Sequence, residues 1–299
     1  MSATDVTRAA GRLRDDEPRP VELLAVKGLN VTLGRGHRIL HDVELNVAAG
    51  EILGLIGETG SGKTTLARTV LGLTAPVSGT VRLNGVELTS LRGGKLRAFR
   101  RAGHIQYVFQ DPLRSLDPDL RVADIVGEGL AIAGVPAADR ATRVRSALER
   151  VGLDAALADR SPGQISGGQR QRVAIARAIV VEPRLLICDE PVSALDVSNR
   201  NHILQLLADL RDQLGVGIVV ISHDLGSLAA ITDRIAVLYQ GHIVEEGPAR
   251  AIFTAPQHPY TQLLIASVPT IDSSSGIAAD RRRELREQAA QQVGERTNG

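Results

Sequence analysis

The first regular pattern in the chain runs from Val21 to Val47, where apolar and polar positions alternate. The segments Leu29–Leu33 and Asp42–Val47 show this period of two, and Gly34–Gly36 separates them. Such alternation is typical of strands that have one face in the core and the other in water. A further alternating run, Gly79–Gly85, contains Asn-Gly, the dipeptide that favours a tight hairpin turn. The sequence therefore predicts an antiparallel β layer.

Later strands have a different pattern, because their apolar residues follow one another without alternation. The runs Leu185–Cys188, Gly217–Ile221 and Arg234–Leu238 are of this kind, and His104–Phe109 reads as another strand. A short continuous apolar run indicates a strand that is buried on both faces, as in a parallel sheet. Since helical patterns separate these runs, we expect a largely parallel α/β sheet.

The remaining pattern is mostly helical and suggests how the chain is divided. Apolar spacing between about Val122 and Leu157 is that of helices, Gly241–Gly247 resembles a hairpin arm, and one or two helices follow from Ala249. We expect these units: a disordered leader at 1–20, a main domain at 21–250 with a helical subdomain at about 111–165, a C-terminal extension at 251–271, and a linker and flexible tail at 272–299.

Composition narrows the class of protein. The chain has 299 residues, 43% hydrophobic and only 2% aromatic, with a formal net charge of +1. A near-neutral chain lacks the general attraction to nucleic acid or anionic lipid that a basic chain has. A single cysteine, Cys188, excludes an intramolecular disulfide and a cysteine-rich metal site. With no long apolar run and no signal-peptide pattern, the sequence predicts a cytoplasmic location.

A phosphate-binding loop is predicted directly after the apolar run Glu51–Ile56. The sequence there fits Gly-x-x-x-x-Gly-Lys-Ser/Thr between a strand and a helix. In such a loop, backbone N–H groups surround the phosphates, the lysine reaches the β and γ phosphates, and the hydroxyl binds Mg²⁺. A glycine-rich turn without a ligand is the alternative. The predicted binding residues are Gly57, Glu58, Thr59, Gly60, Ser61, Gly62, Lys63, Thr64 and Thr65.

An acidic pair, Asp189 and Glu190, follows the apolar strand Leu185–Cys188. In a parallel sheet, ligands bind at the carboxyl ends of the strands, so this pair should lie close to the phosphate loop. Asp189 is then placed to hold Mg²⁺, directly or through water, and Glu190 to orient or deprotonate the water that attacks the γ phosphate. The alternative is a simple turn at the end of a strand, before Pro191.

A second anion site is indicated at Ile165–Gln169, just before a helix rich in arginine and alanine. A serine followed by two glycines at the start of a helix presents free N–H groups and a hydroxyl. An isolated helix cap would look the same. The phosphate loop already supplies one such site, so the second one requires an explanation.

Taken in chain order, these motifs resemble the nucleotide-binding subunit of ATP-binding cassette (ABC) transporters over about 21–247. The residues that carry the resemblance are Gly57–Thr65, Gln110, Ile165–Gln169, Leu185–Glu190, Ser193–Asp196 and His223. The resemblance implies an α/β fold, namely a P-loop NTPase core with a largely parallel sheet, an antiparallel β layer and a helical subdomain. It also implies ATP and Mg²⁺ as cofactors.

The resemblance assigns roles to individual residues. Two cassettes would close head to tail, so that the residues acting on the partner's ATP are Ser166, Gly167, Gly168 and Gln169. The residues at the interface between the two cassettes would be Ser193, Ala194, Leu195 and Asp196. The catalytic residues would be Glu190, His223, Lys63 and Gln110. The ligands of Mg²⁺ would be Thr64, Gln110 and Asp189.

Two further stretches, Tyr107–Pro118 and Ile252–Leu264, are similar to the ATPases of oligopeptide and dipeptide importers. The resemblance therefore implies ATP hydrolysis that drives import of a peptide or similar solute, at the cytoplasmic face of the cell membrane. The implied partners are a second ABC ATPase subunit, identical or homologous, two membrane permease subunits and, indirectly, an extracytoplasmic solute-binding protein. An importer for another solute, such as nickel or a sugar, is an alternative, and so is a soluble ABC ATPase acting on nucleic acid or ribosomes.

One position departs from the family pattern. Members usually carry an aromatic residue near the end of the early strand, where it stacks on adenine, and the matching place here is Leu33 or nearby. The first aromatic residue of the chain is Phe99. We therefore expect adenine to be held by apolar contact alone.

Overall fold

The structure is a computed structural model that describes residues 22–34, 36–193, 195–223, 225–267 and 279–298. The predicted leader at 1–20 lies outside the described residues, as does the linker at 272–278. Ala194, one residue of the predicted interface, also lies outside them.

The elements follow one another in the order that the hydrophobic pattern predicts. The strands are β1 (Glu22–Leu33), β2 (His37–Ala48), β3 (Ile52–Ile56), β4 (Ser78–Leu83), β5 (Val86–Glu87), β6 (Ile105–Val108), β7 (Leu185–Asp189), β8 (Gly217–Ser222), β9 (Arg234–Tyr239) and β10 (His242–Pro248). The helices are α1 (Lys63–Val70), α2 (Gly93–Arg101), α3 (Pro112–Ser115), α4 (Val122–Ile132), α5 (Ala137–Arg150), α6 (Gly167–Ile179), α7 (Val197–Leu214), α8 (Leu225–Leu228), α9 (Ala249–Thr254), α10 (Pro259–Ile265) and α11 (Ala279–Asn298). Short 3₁₀ helices lie at Leu88–Ser90, Ala155–Asp159 and Pro162–Gln164.

The larger sheet has the strand order β10-β9-β3-β8-β7-β6. Strands β9, β3, β8, β7 and β6 are parallel to one another, and β10 joins the edge antiparallel to β9. Every residue of β3 and of β8 is buried, which agrees with the continuous apolar runs. Helices cover this sheet, as parallel strands require. The largely parallel sheet predicted from the sequence is confirmed.

The smaller sheet is antiparallel, with the order β2-β1-β4-β5, and confirms the predicted β layer. Its apolar face packs on α1 and on the larger sheet, in a cluster that includes Val31, Leu40, Leu55 and Leu66. The other side of the larger sheet packs against α4 to α7 in a separate cluster. Cys188 is fully buried in that second cluster, and burial raises the pKa of its thiol.

The C-terminal helices lie beside the edge of the larger sheet. Helix α11 packs against α10 and buries Leu285, Ala289 and Val293. The segment predicted as a tail thus contains a helix, while the limits of the domains stay a prediction. No helix in the described ranges is long and apolar enough to cross a membrane.

Candidate active site

Four of the predicted site segments meet at one edge of the larger sheet, because parallel strands place their carboxyl ends together. Ile56, the last residue of β3, lies beside Ser222 at the end of β8. Asp189 of β7 lies beside Ile221 of β8, and Val108 of β6 beside Cys188. The phosphate loop, the acidic pair, His223 and Gln110 therefore follow neighbouring strands.

The phosphate loop needs glycine at two positions where backbone passes close to neighbouring atoms. Gly57 has φ of 155°, and a Cβ there would lie 2.1 Å from the carbonyl oxygen of Leu238. Gly62 has φ of 111°, and its Cβ would lie 2.7 Å from Leu40 Cδ2. Both dihedral angles are rare for residues that carry a side chain. The two glycines allow the loop to bend between β3 and α1 and to lie against β9.

Lys63 begins α1 and points back into the loop. Its Nζ donates hydrogen bonds to the carbonyl oxygens of Gly57 at 2.7 Å and Glu58 at 2.8 Å. Burial lowers the pKa of this ammonium, while the carboxylates of Glu190 and Asp189 favour its charged form. The loop thus holds a cation at its centre, where a phosphate would bind.

A buried hydroxyl in the same loop has unused hydrogen-bonding capacity. Ser61 is 5% exposed, and its Oγ has no hydrogen-bond partner. Buried polar atoms are normally paired, so an unpaired one calls for an explanation. A phosphate oxygen of ATP would supply the partner, and the loop therefore fits the nucleotide on an observation independent of its sequence pattern.

Two of the three predicted magnesium ligands contact each other, and the third lines the same cleft. Thr64 Oγ1 donates to Asp189 Oδ2 at 3.4 Å, and both residues line a cleft of about 1370 Å³ that Gln110 also lines. No group of three or more His, Cys, Asp or Glu side chains able to hold a metal occurs among the described residues. Mg²⁺ commonly binds through one or two carboxylates together with substrate phosphates. A hydroxyl, a carboxylate and an amide fit that role.

Glu190 and His223 form a direct contact although they follow different strands. Glu190 Oε1 accepts the backbone N–H of His223 at 3.1 Å and lies 2.6 Å from its Nδ1. The Glu190 side chain is largely buried, whereas that of His223 is 66% exposed. Glu190 also has φ of 48°, an uncommon conformation that tends to occur at functional sites. The pair combines a fixed carboxylate with an accessible imidazole.

The segment predicted as a second anion site lies at the start of α6, where Ser166 is the N-cap. Ser166 Oγ accepts the N–H of Gln169 at 3.2 Å, and Gln169 Oε1 accepts the N–H of Ser166 at 2.9 Å. Ser166 and Gly167 are exposed. Among the hydrogen bonds of the described residues, none joins this site to the phosphate loop. Within one chain, the hydrogen bonds of the described residues thus leave the predicted second anion site unconnected to the phosphate loop.

The predicted interface segment leads away from Glu190. Ser193 donates from its N–H and its Oγ to the carbonyl oxygen of Glu190, at 3.3 and 3.2 Å. Asp196 caps α7 by accepting the N–H of Asn199 at 3.0 Å, and Leu195 is half-buried. The segment is therefore coupled to the acidic pair by hydrogen bonds within the chain.

Two tyrosines of the site were missed by sequence reasoning. The hydroxyl of Tyr107 donates to Asp189 Oδ2, and the Tyr260 hydroxyl accepts the N–H of Glu58 at 2.7 Å. Burial raises the pKa of both phenols, so both stay protonated. Apart from the rarity of tyrosine, which occurs only three times in the chain, the sequence carries no signal for these contacts. At the expected adenine position, Leu33 is 41% exposed.

Comparison with protein families matches two regions of the chain. Residues 40–193 match the model described as ABC transporter, and residues 244–295 match the model described as oligopeptide/dipeptide transporter, C-terminal region. A protein of Brucella ovis, provisionally named a peptide import ATP-binding protein, is 43% identical over 84% of this chain and 80% of its own length. A glutathione import ATP-binding protein of Escherichia coli K12 is 47% identical over 81% of this chain but only 39% of its own length.

Solved structures share the fold. The cbiO1 protein of Clostridium perfringens, part of the ABC transporter complex cbiONQ, superposes with a TM-score of 0.73 and 30% identity, over 79% of this chain and 92% of its own. A dimeric post-hydrolysis state of an ATP-binding cassette, bound to ADP and Pi, gives a TM-score of 0.68 and 31% identity, over 76% and 99% of the two chains.

Proposed function

This chain belongs to the ABC transporter family as an ATP-hydrolysing import subunit, and we propose that it works with Mg²⁺ in a cassette dimer to drive the uptake of peptides or similar small solutes. The observation that carries the hydrolytic part is the contact between Glu190 and His223 beside the phosphate loop. A carboxylate fixed in this position can orient a water molecule and accept its proton.

Each residue of the site has a defined task in this reaction. Lys63 places a positive charge at the β and γ phosphates, where charge builds up in the transition state. Thr64, Gln110 and Asp189 would hold Mg²⁺, which neutralises charge on the phosphates. Glu190 would take the proton of the attacking water, and His223, which contacts Glu190 through Nδ1, would bind the γ phosphate.

The second half of the site would come from another cassette. Ser166–Gln169 offers a hydroxyl and helix N–H groups at the start of α6, yet no hydrogen bond among the described residues joins it to the phosphate loop of its own chain. In a head-to-tail dimer it would face the γ phosphate bound by the partner, with Ser193, Leu195 and Asp196 along the interface. Hydrolysis then requires two chains, identical or homologous.

The solute class is supported by the C-terminal region and by the relatives. Residues 244–295 match the region described for oligopeptide/dipeptide transporters. The relatives named above carry peptide import and glutathione import in their names, and glutathione is itself a small peptide. Two membrane permeases and an extracytoplasmic binding protein would complete the system, with this chain at the cytoplasmic face of the membrane.

Uptake by cells tests the proposal. We would delete the gene, restore it as wild type or as Lys63→Ala, and measure entry of a panel of labelled dipeptides and oligopeptides. We expect the wild type to restore uptake and the variant to remain at the level of the deletion. If the deletion leaves the uptake of every peptide in the panel unchanged, the peptide assignment is refuted. Recovery of the chain with ribosomes or DNA, rather than with membrane proteins, would favour the soluble ATPase.

A further inference from the structure

The side chain of Tyr260, in the C-terminal extension, contacts the phosphate loop. Tyr260 lies in the first turn of α10 and is 1% exposed, although its hydroxyl reaches the loop. That oxygen accepts the N–H of Glu58 at 2.7 Å. The phenol ring is stacked on Tyr239 of β9, with ring centroids 4.1 Å apart. A residue 202 positions further along the chain therefore completes the loop.

Tyr260 is itself held by groups outside the loop. The N–H of Tyr260 donates to the ring of His258, which caps α10. The two carboxylate oxygens of Glu245, on β10, accept the N–H groups of Gln257 at 2.8 Å and His258 at 3.0 Å. The position of the Tyr260 hydroxyl is thus set by β9, β10 and the cap of α10. Because none of these groups belongs to the loop, the hydroxyl would keep its position if the loop moved.

Glu58 connects this hydroxyl to the central lysine. Its N–H binds Tyr260, and its carbonyl oxygen accepts Lys63 Nζ at 2.8 Å. Further along the loop, the carbonyl oxygen of Ser61 accepts the N–H of Gly241, in the turn between β9 and β10, at 3.0 Å. The same flank of the molecule therefore fixes the loop at two points.

We propose that Tyr260 is a positioning residue for the phosphate loop, and that through it the C-terminal extension sets the affinity of the cassette for MgATP. The inference rests on the proposed ATP-binding function and adds a residue that sets the affinity for the nucleotide. A loop already held in its binding shape loses less conformational freedom when the nucleotide binds. Removal of the hydroxyl leaves the N–H of Glu58 without this acceptor, so the loop is less ordered before ATP binds. Part of the binding free energy of ATP is then used to order the loop, and the affinity falls.

A purely structural role gives a different result. Buried tyrosine hydroxyls usually find some partner, and loss of one destabilises a protein wherever it occurs. That role predicts a lower unfolding temperature with unchanged nucleotide affinity. The positioning role predicts weaker MgATP binding and a higher KM, with kcat at saturating ATP nearly unchanged, because bound ATP restores the loop.

The test compares Tyr260→Phe with Tyr239→Phe in the full chain. Both changes remove a phenolic oxygen and keep the stacked rings, but the Tyr239 hydroxyl accepts a bond from Gln240 rather than from the loop. MgATP affinity is measured by equilibrium dialysis. The rate at which the Glu58 amide exchanges its hydrogen with solvent is measured in the absence of nucleotide. We expect Tyr260→Phe to weaken MgATP binding about 3- to 10-fold, the effect of one hydrogen bond, and to speed amide exchange. Tyr239→Phe should stay within twofold of the wild type in both measurements.

A second variant leaves the tyrosine in place. Glu245→Ala removes the acceptor that fixes the start of α10, so it should weaken MgATP binding in the same direction by a smaller factor. Unchanged affinity in Tyr260→Phe, or an equal loss in Tyr260→Phe and Tyr239→Phe, would overturn the proposal and leave the ATPase assignment intact. Failure of the wild-type chain to bind MgATP would refute both.

Discussion

Replacement of Glu190 by glutamine tests the central chemical step with little change in structure. Glu190 Oε1 accepts the N–H of His223 at 3.1 Å and contacts Nδ1 at 2.6 Å, and a glutamine Oε1 can accept both. What is lost is the negative charge and the basicity. Since hydrogen bonds to charged groups contribute about 1.5–3 kcal/mol each and neutral ones about 1, the free energy of unfolding should fall by no more than about 4 kcal/mol for the two bonds together.

The effect on turnover should be large. A positioned general base contributes about 10²–10⁴ in rate, which corresponds to roughly 3–5 kcal/mol of activation free energy. We therefore expect kcat to fall at least about 100-fold. The affinity for MgATP should stay within threefold, because Lys63 and the loop are unchanged. ATP that binds without being hydrolysed should hold two chains together.

The assays are phosphate release at saturating ATP, equilibrium dialysis of ATP, and size-exclusion chromatography with MgATP. Glu182→Gln is a matched control, because Glu182 also has positive φ, 54° against 48° for Glu190, yet lies at the exposed end of an ion pair with Arg150. It should keep turnover within about twofold. Turnover within tenfold of the wild type in Glu190→Gln, with folding intact, would refute the role of Glu190 as base.

Three other variants probe the rest of the site. Lys63→Ala removes the cation at the centre of the loop and should reduce MgATP binding at least about 10-fold by dialysis; unchanged binding would contradict the assignment of the loop. Tyr107→Phe removes the hydroxyl that orients Asp189 and should raise the Mg²⁺ concentration needed for half-maximal ATPase activity several-fold, whereas an unchanged Mg²⁺ dependence would mean that the hydroxyl only fills space. A mixture of Lys63→Ala and Ser166→Ala chains should hydrolyse more ATP than the sum of the two alone, since a mixed dimer has one site with an intact loop and an intact Ser166. No gain on mixing, with mixed dimers demonstrated, would argue against sites shared between chains.

Most of the elements follow from local patterns in the sequence. Alternation identifies β1 and β2, and continuous apolar runs identify β7, β8 and β9, because burial on one or two faces imposes these periods. The loop Gly57–Thr65 is also recognisable locally, because close backbone contacts require glycine and a bound phosphate is paired with a lysine within the same few residues. Such elements are predictable because the physical cause lies within a few residues.

The partners of individual side chains are less predictable. The sequence places Tyr107 in a strand and in the stretch Tyr107–Pro118, and Tyr260 in the stretch Ile252–Leu264, which are both similar to importer ATPases. The chain does form helices from Ala249, as expected, but no sequence pattern predicts the contact of Tyr260 with Glu58. Neither tyrosine has a local signature of its function, since a buried tyrosine and a strand tyrosine look alike in any pattern.

The sequence by itself thus determined which chemical groups are available to this protein: a glycine-rich loop with a lysine, an acidic pair, and a serine and two glycines at the start of a helix. The tertiary structure decided which groups touch. It inserts β8 between β3 and β7, so that Glu190 meets His223 over a separation of 33 residues. It also pairs β6 with β7, so that Tyr107 meets Asp189 over a separation of 82 residues. Hydrophobic periodicity fixes which face of a strand is buried, but the order of strands in a sheet depends on contacts between distant segments, which only the folded chain makes.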